Sequence, residues 1–271
     1  MAHARPVVVI DPGHGGAATG CEGYYGIYEK VVTLSIALKV RKYLENEGID
    51  VVMTRWGDWD LPLHDRADVA NTVQADCFVS IHCNASLRLS PQGVETYTYG
   101  NGSNKYEPDQ MVNATGIAPV ASTGTEQALD SYGLAMESHV LAISIQQSLI
   151  RGLKTVIDRG VRQARYAVLH YNLRPAVVAE VGFLTNEKEG KRLLDTAYQD
   201  RIARLLVKGI KLFLSRKKEG ALKYLGRRRL RLRNSGLHGP TVSPRSNKRQ
   251  GQLPSRGIGP GQGLSKHKDL P

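Results

Sequence analysis

"VVVIDPGHGG", residues 7–16, is the stretch on which the reading of this chain turns. Four β-branched residues, Val7 to Ile10, make a run short and apolar enough for a strand buried on both faces. They lead straight into Asp11, Pro12 and Gly13, and a single histidine, His14, then stands between glycines. A phosphate cradle would want the glycines but not the imidazole, and a packed core would want neither. The loop therefore asks what elsewhere in the chain partners His14.

Outward from this strand, apolar runs and helical periods alternate. Strands are expected at Val7–Ile10, Ile49–Thr54, Cys77–His82, Gly93–Tyr99, Ala167–Leu169 and Ala176–Val181. Helices are expected at Glu29–Glu47, His64–Gln74, Glu137–Leu153 and Gln199–Ser215, where for example Leu34, Ala37, Val40 and Leu44 share one side. This alternation predicts an α/β fold: a single three-layer domain with a mostly parallel, twisted sheet of about six strands flanked by helices. Residues 100–136 break the rhythm with Gly, Ser, Thr, Asn and Pro, and are expected to form a mobile wall beside the site.

Charge divides the chain. Its formal net charge is +12, yet from Arg216 onward 15 Lys and Arg face two acids, so the preceding residues are close to neutral. The expected organisation is a catalytic domain at 6–215 and a basic, largely disordered tail at 216–271. Only Tyr224 interrupts the tail's basic stretch with an aromatic ring, which argues against specific nucleic-acid recognition. Anionic polymers are the partners its charge suits. No apolar run approaches the ~18–20 residues that span a bilayer, so no transmembrane segment is expected. "MAHARPVVVI" has no proper apolar core or cleavage site, so no signal peptide is expected either. The three cysteines, Cys21, Cys77 and Cys83, show no C-x-x-C spacing and read as free, buried thiols.

In a parallel sheet, loops converge at the carboxyl ends of the strands. His14 follows the first strand, Glu29 opens the first helix, His82 closes "CFVSIHC", and Glu180 interrupts the apolar "PAVVAEVGF". An unpartnered carboxylate in such a strand is costly to bury. Two imidazoles and a carboxylate make a zinc site for hydrolysis, and a second, unligated glutamate suits a general base. His170 is a further candidate for the site's surroundings.

These residues resemble the zinc-dependent N-acetylmuramoyl-L-alanine amidases of the amidase-3 type, found among autolysins, sporulation enzymes and phage lysins (endolysins). The matching pieces are "IDPGHGG", "YEKVVTLSIALKVRKYLENEGIDVVMTR", "LPLHDRADVANTVQADCFVSIHCNAS", "GVETYTY" and "PAVVAEVGFLTNEKE", in that order. The resemblance implies that His14, Glu29 and His82 bind Zn2+ and that Glu180 is the catalytic carboxylate. It implies a substrate, peptidoglycan, cut at the amide between N-acetylmuramic acid and L-alanine. On that reading the glycines around His14 let a glycan strand or stem peptide approach the backbone. Cys83 stands where the family usually has alanine, and His170 where a longer basic side chain is expected. A monomer is expected, made in the cytoplasm and acting on the cell wall after release or lysis, with the tail adhering to anionic wall polymers. The alternatives are a related zinc peptidase or deacylase, and a non-catalytic binder of anionic polymers.

Overall fold

Strand β1 (Val7–Pro12) lies inside the sheet, with Val8, Val9 and Ile10 fully buried. Around it, the computed structural model describes residues 5–100 and 125–219, leaving aside the side chains of 125–132. The remaining elements are α1 (Glu29–Asn46), β2 (Asp50–Met53), α2 (Leu63–Thr72), β3 (Cys77–Asn84), β4 (Val94–Tyr99), α3 (Thr125–Gly152), β5 (Asp158–Ala164), α4 (Ala167–His170), β6 (Ala176–Phe183), α5 (Glu187–Leu194) and α6 (Thr196–Lys218).

The six strands run in the order β2-β1-β3-β6-β4-β5. β2, β1, β3 and β6 are mutually parallel, β4 is antiparallel to β6, and β5 is parallel to β4. Helices α1, α3 and α6 cover one face, where Ile36, Val40, Ile145, Leu149, Leu206 and Phe213 meet Val8, Ile10, Val79 and Val177. On the other face, Val9, Phe78, Tyr97 and Val178 pack with Ala70 of α2 and with Val168 and Leu169 of α4. Burying a large apolar side chain is worth about 1.5–3 kcal/mol, so this two-sided burial supplies the main driving force.

The three-layer α/β architecture expected from the periodicity is thus present, with differences that have physical causes. Ala167–Leu169 is not a strand but part of the short helix α4. A three-residue apolar run carries too little period to separate strand from helix. The sixth strand is instead β5, "DRGVRQA", an edge strand that is mostly half-exposed and has no apolar alternation. Backbone pairing to β4 makes it a strand, and its side chains do not advertise it.

Helix α3 begins at Thr125 rather than near Glu137, so part of the supposed irregular segment is helical. Helix α5 follows an Asn186 cap whose side chain accepts from the amides of Lys188 and Glu189. Because β4 runs antiparallel to β6, its carboxyl end points away from the carboxyl ends of β1, β3 and β6. The premise that residues 100–136 depart beside the site is therefore reversed. Residues 101–124 themselves, and the tail beyond Glu219, lie outside the described residues. No described helix is long and apolar enough to cross a membrane.

Candidate metal centre

The site forms at the carboxyl ends of β1, β3 and β6. In β3 and β6, His82 and Glu180 are direct register partners, so both project from the face that carries Phe78 and Val178. Just after β1 the backbone enters the left-handed region over three successive residues, with φ of 61° at His14, 134° at Gly15 and 57° at Gly16. Such a conformation is unusual for a histidine and is held by its surroundings.

Two buried arginines do the holding. Arg55 donates from Nε to the Pro12 carbonyl (3.0 Å) and from Nη2 to the Gly13 carbonyl (2.7 Å). Arg66 donates to the Pro12 carbonyl (2.9 Å) and to the His14 carbonyl (2.8 Å). Burial, with the Arg66 charge close by, lowers the Arg55 guanidinium to about 10, which leaves it charged at neutral pH. On the outer side, Asp58 accepts from the Gly16 amide (2.7 Å), and Asp60 accepts from the amides of Ala17 and Ala18 (3.0 Å each). The β2–α2 connection therefore grips the His14 loop by its carbonyls and by its amides.

Arg66 is itself paired. Its Nη1 donates at 2.8 Å to Asp11, whose carboxylate also accepts from the hydroxyls of Thr54 and Ser80 at 2.6 Å each. Burial opposes ionisation of Asp11, but Arg66 and the two hydroxyls outweigh it and hold its pKa below 3.8.

Glu29, the first residue of α1, lies between the imidazoles. His14 Nε2 is 3.1 Å from Glu29 Oε2, and His82 Nδ1 is 3.0 Å from Oε1. The same carboxylate accepts from the amides of Cys83 (2.9 Å) and Cys21 (3.2 Å). Burial would raise its pKa, yet the hydrogen bonds from the two imidazoles keep it well below the ordinary carboxylate range. One ligating atom from each of His14, Glu29 and His82 lies within 4.8 Å of the other two.

The glycines turn inward. A Cβ on Gly13 would stand 2.3 Å from the His82 ring, and one on Gly20 would stand 2.6 Å from Glu29 Oε2 and 2.7 Å from His14 Cδ2. Gly15 and Gly16 face Trp59, Arg55 and Asp60. Their bareness thus lets the protein's own ligands close in, and the expectation that they admit substrate is corrected. The donors converge in a cradle that side chains would fill, which fits a divalent metal bound by two imidazoles and a carboxylate.

Glu180 is buried, and its Oε2 has no hydrogen-bond partner among the described residues. Burial first, then the nearby Glu29 and Glu95 carboxylates, push its pKa well above the ordinary range. Glu95 is its register partner across β4. Unlike Glu180, Glu95 is saturated: it accepts from Asn84 and Tyr97, and Arg159 and Arg162 each approach its Oε2 at 2.9 Å.

All four expected residues are thus brought together. His170 is not: its ring lies against Tyr99, at the far end of β4 and about 13 Å along the strand from Glu95. Cys83 keeps its side chain in the core on the opposite face from His82, and the cysteines are free. Sequence reasoning missed Asp11, Arg55 and Arg66, because charged residues give no sign in a pattern that burial awaits them. Asp11 lies inside β1, but Arg55 follows β2 and Arg66 lies on α2, so nothing local tied the two arginines to the site.

The profile of a family described as N-acetylmuramoyl-L-alanine amidase matches residues 8–212. N-acetylmuramoyl-L-alanine amidase AmiA of Escherichia coli is 33% identical over 223 residues, covering 76% of this chain and 75% of that protein. Among solved structures, the amidase AmiC2 of Nostoc punctiforme superposes with a TM-score of 0.63 at 30% identity, covering 79% of this chain and 99% of its own. An N-acetylmuramoyl-L-alanine amidase of Clostridium difficile 630 gives 0.61 at 32% identity, covering 78% and 97%.

Proposed function

The chain belongs to the N-acetylmuramoyl-L-alanine amidase family, and from that premise we propose that His14, Glu29 and His82 hold zinc while Glu180 transfers the protons. The reaction is hydrolysis of the amide that joins N-acetylmuramic acid to L-alanine in peptidoglycan. One observation carries the assignment of residues: three ligating atoms within 4.8 Å of one another, beside a buried carboxyl whose Oε2 has no hydrogen-bond partner among the described residues.

When bound, zinc supplies Lewis acidity, easing loss of a proton from water near neutral pH and polarising the scissile carbonyl. The chain's own residues do the rest. Glu29 accepts from the backbone amides of Cys21 and Cys83 as well, bonds that favour the anion and suit it to a ligand. Burial favours the protonated form of Glu180, which suits a group that takes a proton and later surrenders it to the departing amine. Two carboxylates whose surroundings push them in opposite directions divide the roles of ligand and proton carrier. Arg55 and Arg66 fix the His14 loop, so the imidazole is in place before the metal arrives.

The purified protein is expected to carry about one zinc per chain, the usual stoichiometry of such a site. His14→Ala or His82→Ala should lose it in atomic spectroscopy. Mass spectrometry of digested peptidoglycan should show new L-alanine N-termini. Full activity in a stringently metal-free preparation would refute the assignment.

The division into a catalytic domain and a basic tail extends this reading. Helix α6 continues to Lys218, and beyond Glu219 the chain carries 12 Lys and Arg against one acid. The tail acts as an electrostatic tether to anionic wall polymers, since the domain before it is close to neutral. Truncation after Glu219 should spare cleavage of a small muropeptide and weaken pull-down on whole sacculi at low salt. The difference should vanish at high salt, where the Debye length falls to roughly 3 Å at 1 M. Equal binding at every salt concentration would leave the tail with no part in wall attachment.

A further inference from the structure

Beyond the catalytic groups, the same face of the sheet continues into a cationic pair. His82 on β3 pairs in register with Glu180 on β6, and Glu180 pairs with Glu95 on β4. One strand further, β5 contributes Arg159 and Arg162. Both guanidinium groups reach back to a single carboxylate oxygen, Glu95 Oε2, through their Nε atoms at 2.9 Å. The other oxygen of Glu95 is occupied by Asn84 and Tyr97.

One acid thus faces two bases, and neutralising Glu95 accounts for only one of them. The arginines do not serve Glu180 Oε2 either, which has no hydrogen-bond partner among the described residues. Each guanidinium has five donors in a rigid fork, so an Nε turned to Glu95 leaves the Nη groups for another acceptor. Their side chains are 20% and 27% exposed. They are also held in place. The Arg159 head lies 4.9 Å over the Phe183 ring, and the single Nε–H of Arg162 donates to the Arg159 carbonyl at 3.1 Å while its charge pairs with Glu95. A pre-positioned guanidinium pair is suited to a planar anion such as a carboxylate.

We propose that Arg159 and Arg162 form a carboxylate subsite on the peptide side of the cut, selecting stems whose second residue carries a free α-carboxylate. The dimensions agree. Neighbouring strands are about 4.8 Å apart, which places the pair roughly 5–10 Å from Glu180. Two extended residues beyond the scissile nitrogen span about 7 Å. The subsite rests on the amidase reading above, because it takes Glu180 as the reaction centre.

The test uses the full-length, zinc-loaded protein and two soluble substrates, N-acetylmuramoyl-L-alanyl-D-glutamate and its α-amidated D-isoglutamine counterpart. A charge-assisted contact predicts a preference in kcat/KM of about tenfold or more for the free carboxylate. Arg162→Gln leaves Arg159 to neutralise Glu95, and it should collapse that ratio toward one, an effect that mere loss of packing would not produce. Equal rates on the two substrates, a preference for the amide, or an unchanged ratio in the variant would each overturn the subsite. Cleavage of neither substrate would overturn the amidase reading instead.

Discussion

Glu180→Gln should retain zinc and lose turnover by about 10²- to 10⁴-fold, the usual contribution of a positioned proton-transfer group. Gln keeps the shape of the side chain and its place opposite His82, but it cannot take a proton from water and return it to an amine. The variant should fold at least as well as the parent, because a buried carboxyl beside two others is expensive to ionise. Metal content, thermal unfolding and turnover of a soluble muropeptide measure the three parts separately. Near-parental activity in this variant would move the proton transfer to another group. Loss of zinc would instead place Glu180 among the ligands.

Arg66→Met should cost about 3–5 kcal/mol of folding stability, because it leaves the fully buried Asp11 charge without its partner. It also takes the side-chain donor from the His14 carbonyl and leaves the Pro12 carbonyl to Arg55 alone, so zinc affinity should fall together with stability. The pH dependence has a definite sign. Asp11 has a native pKa lowered from 3.8, so its stabilising contribution is complete above that value and disappears as pH falls through the native pKa. The gap between parent and variant should therefore be widest near neutrality and should narrow below about pH 4. Urea unfolding at a series of pH values measures it. A gap that is constant down to pH 2 would mean that the loss comes from packing and not from the ion pair.

What the order of residues determined by itself was the layer architecture and the four chemical groups. Apolar period is a local property, and it is strongest where burial is two-sided, as in β1, β3 and β6 or along α1. His14, Glu29, His82 and Glu180 were legible because each is a polar residue at or near the end of such an element, and the four residue types together make a chemical set. β5 and α4 were exchanged because neither has enough apolar period to declare itself, and their identity depends on what packs beside them.

Tertiary structure alone decided the rest. The direction of β4 is a choice between two hydrogen-bonding patterns that the same side chains tolerate, and it sends residue 100 away from the site. The purpose of the glycines, and of the charges on Asp11, Arg55, Arg66 and Glu95, depends on neighbours that are distant along the chain. Asp11 meets Arg66 55 residues on, and Glu95 meets Arg159 64 residues on. A charge reads as surface until its partner and its burial are both known. Local pattern contains neither, which is why His14, Glu29, His82 and Glu180 were visible in the sequence and the scaffold that aims them was not.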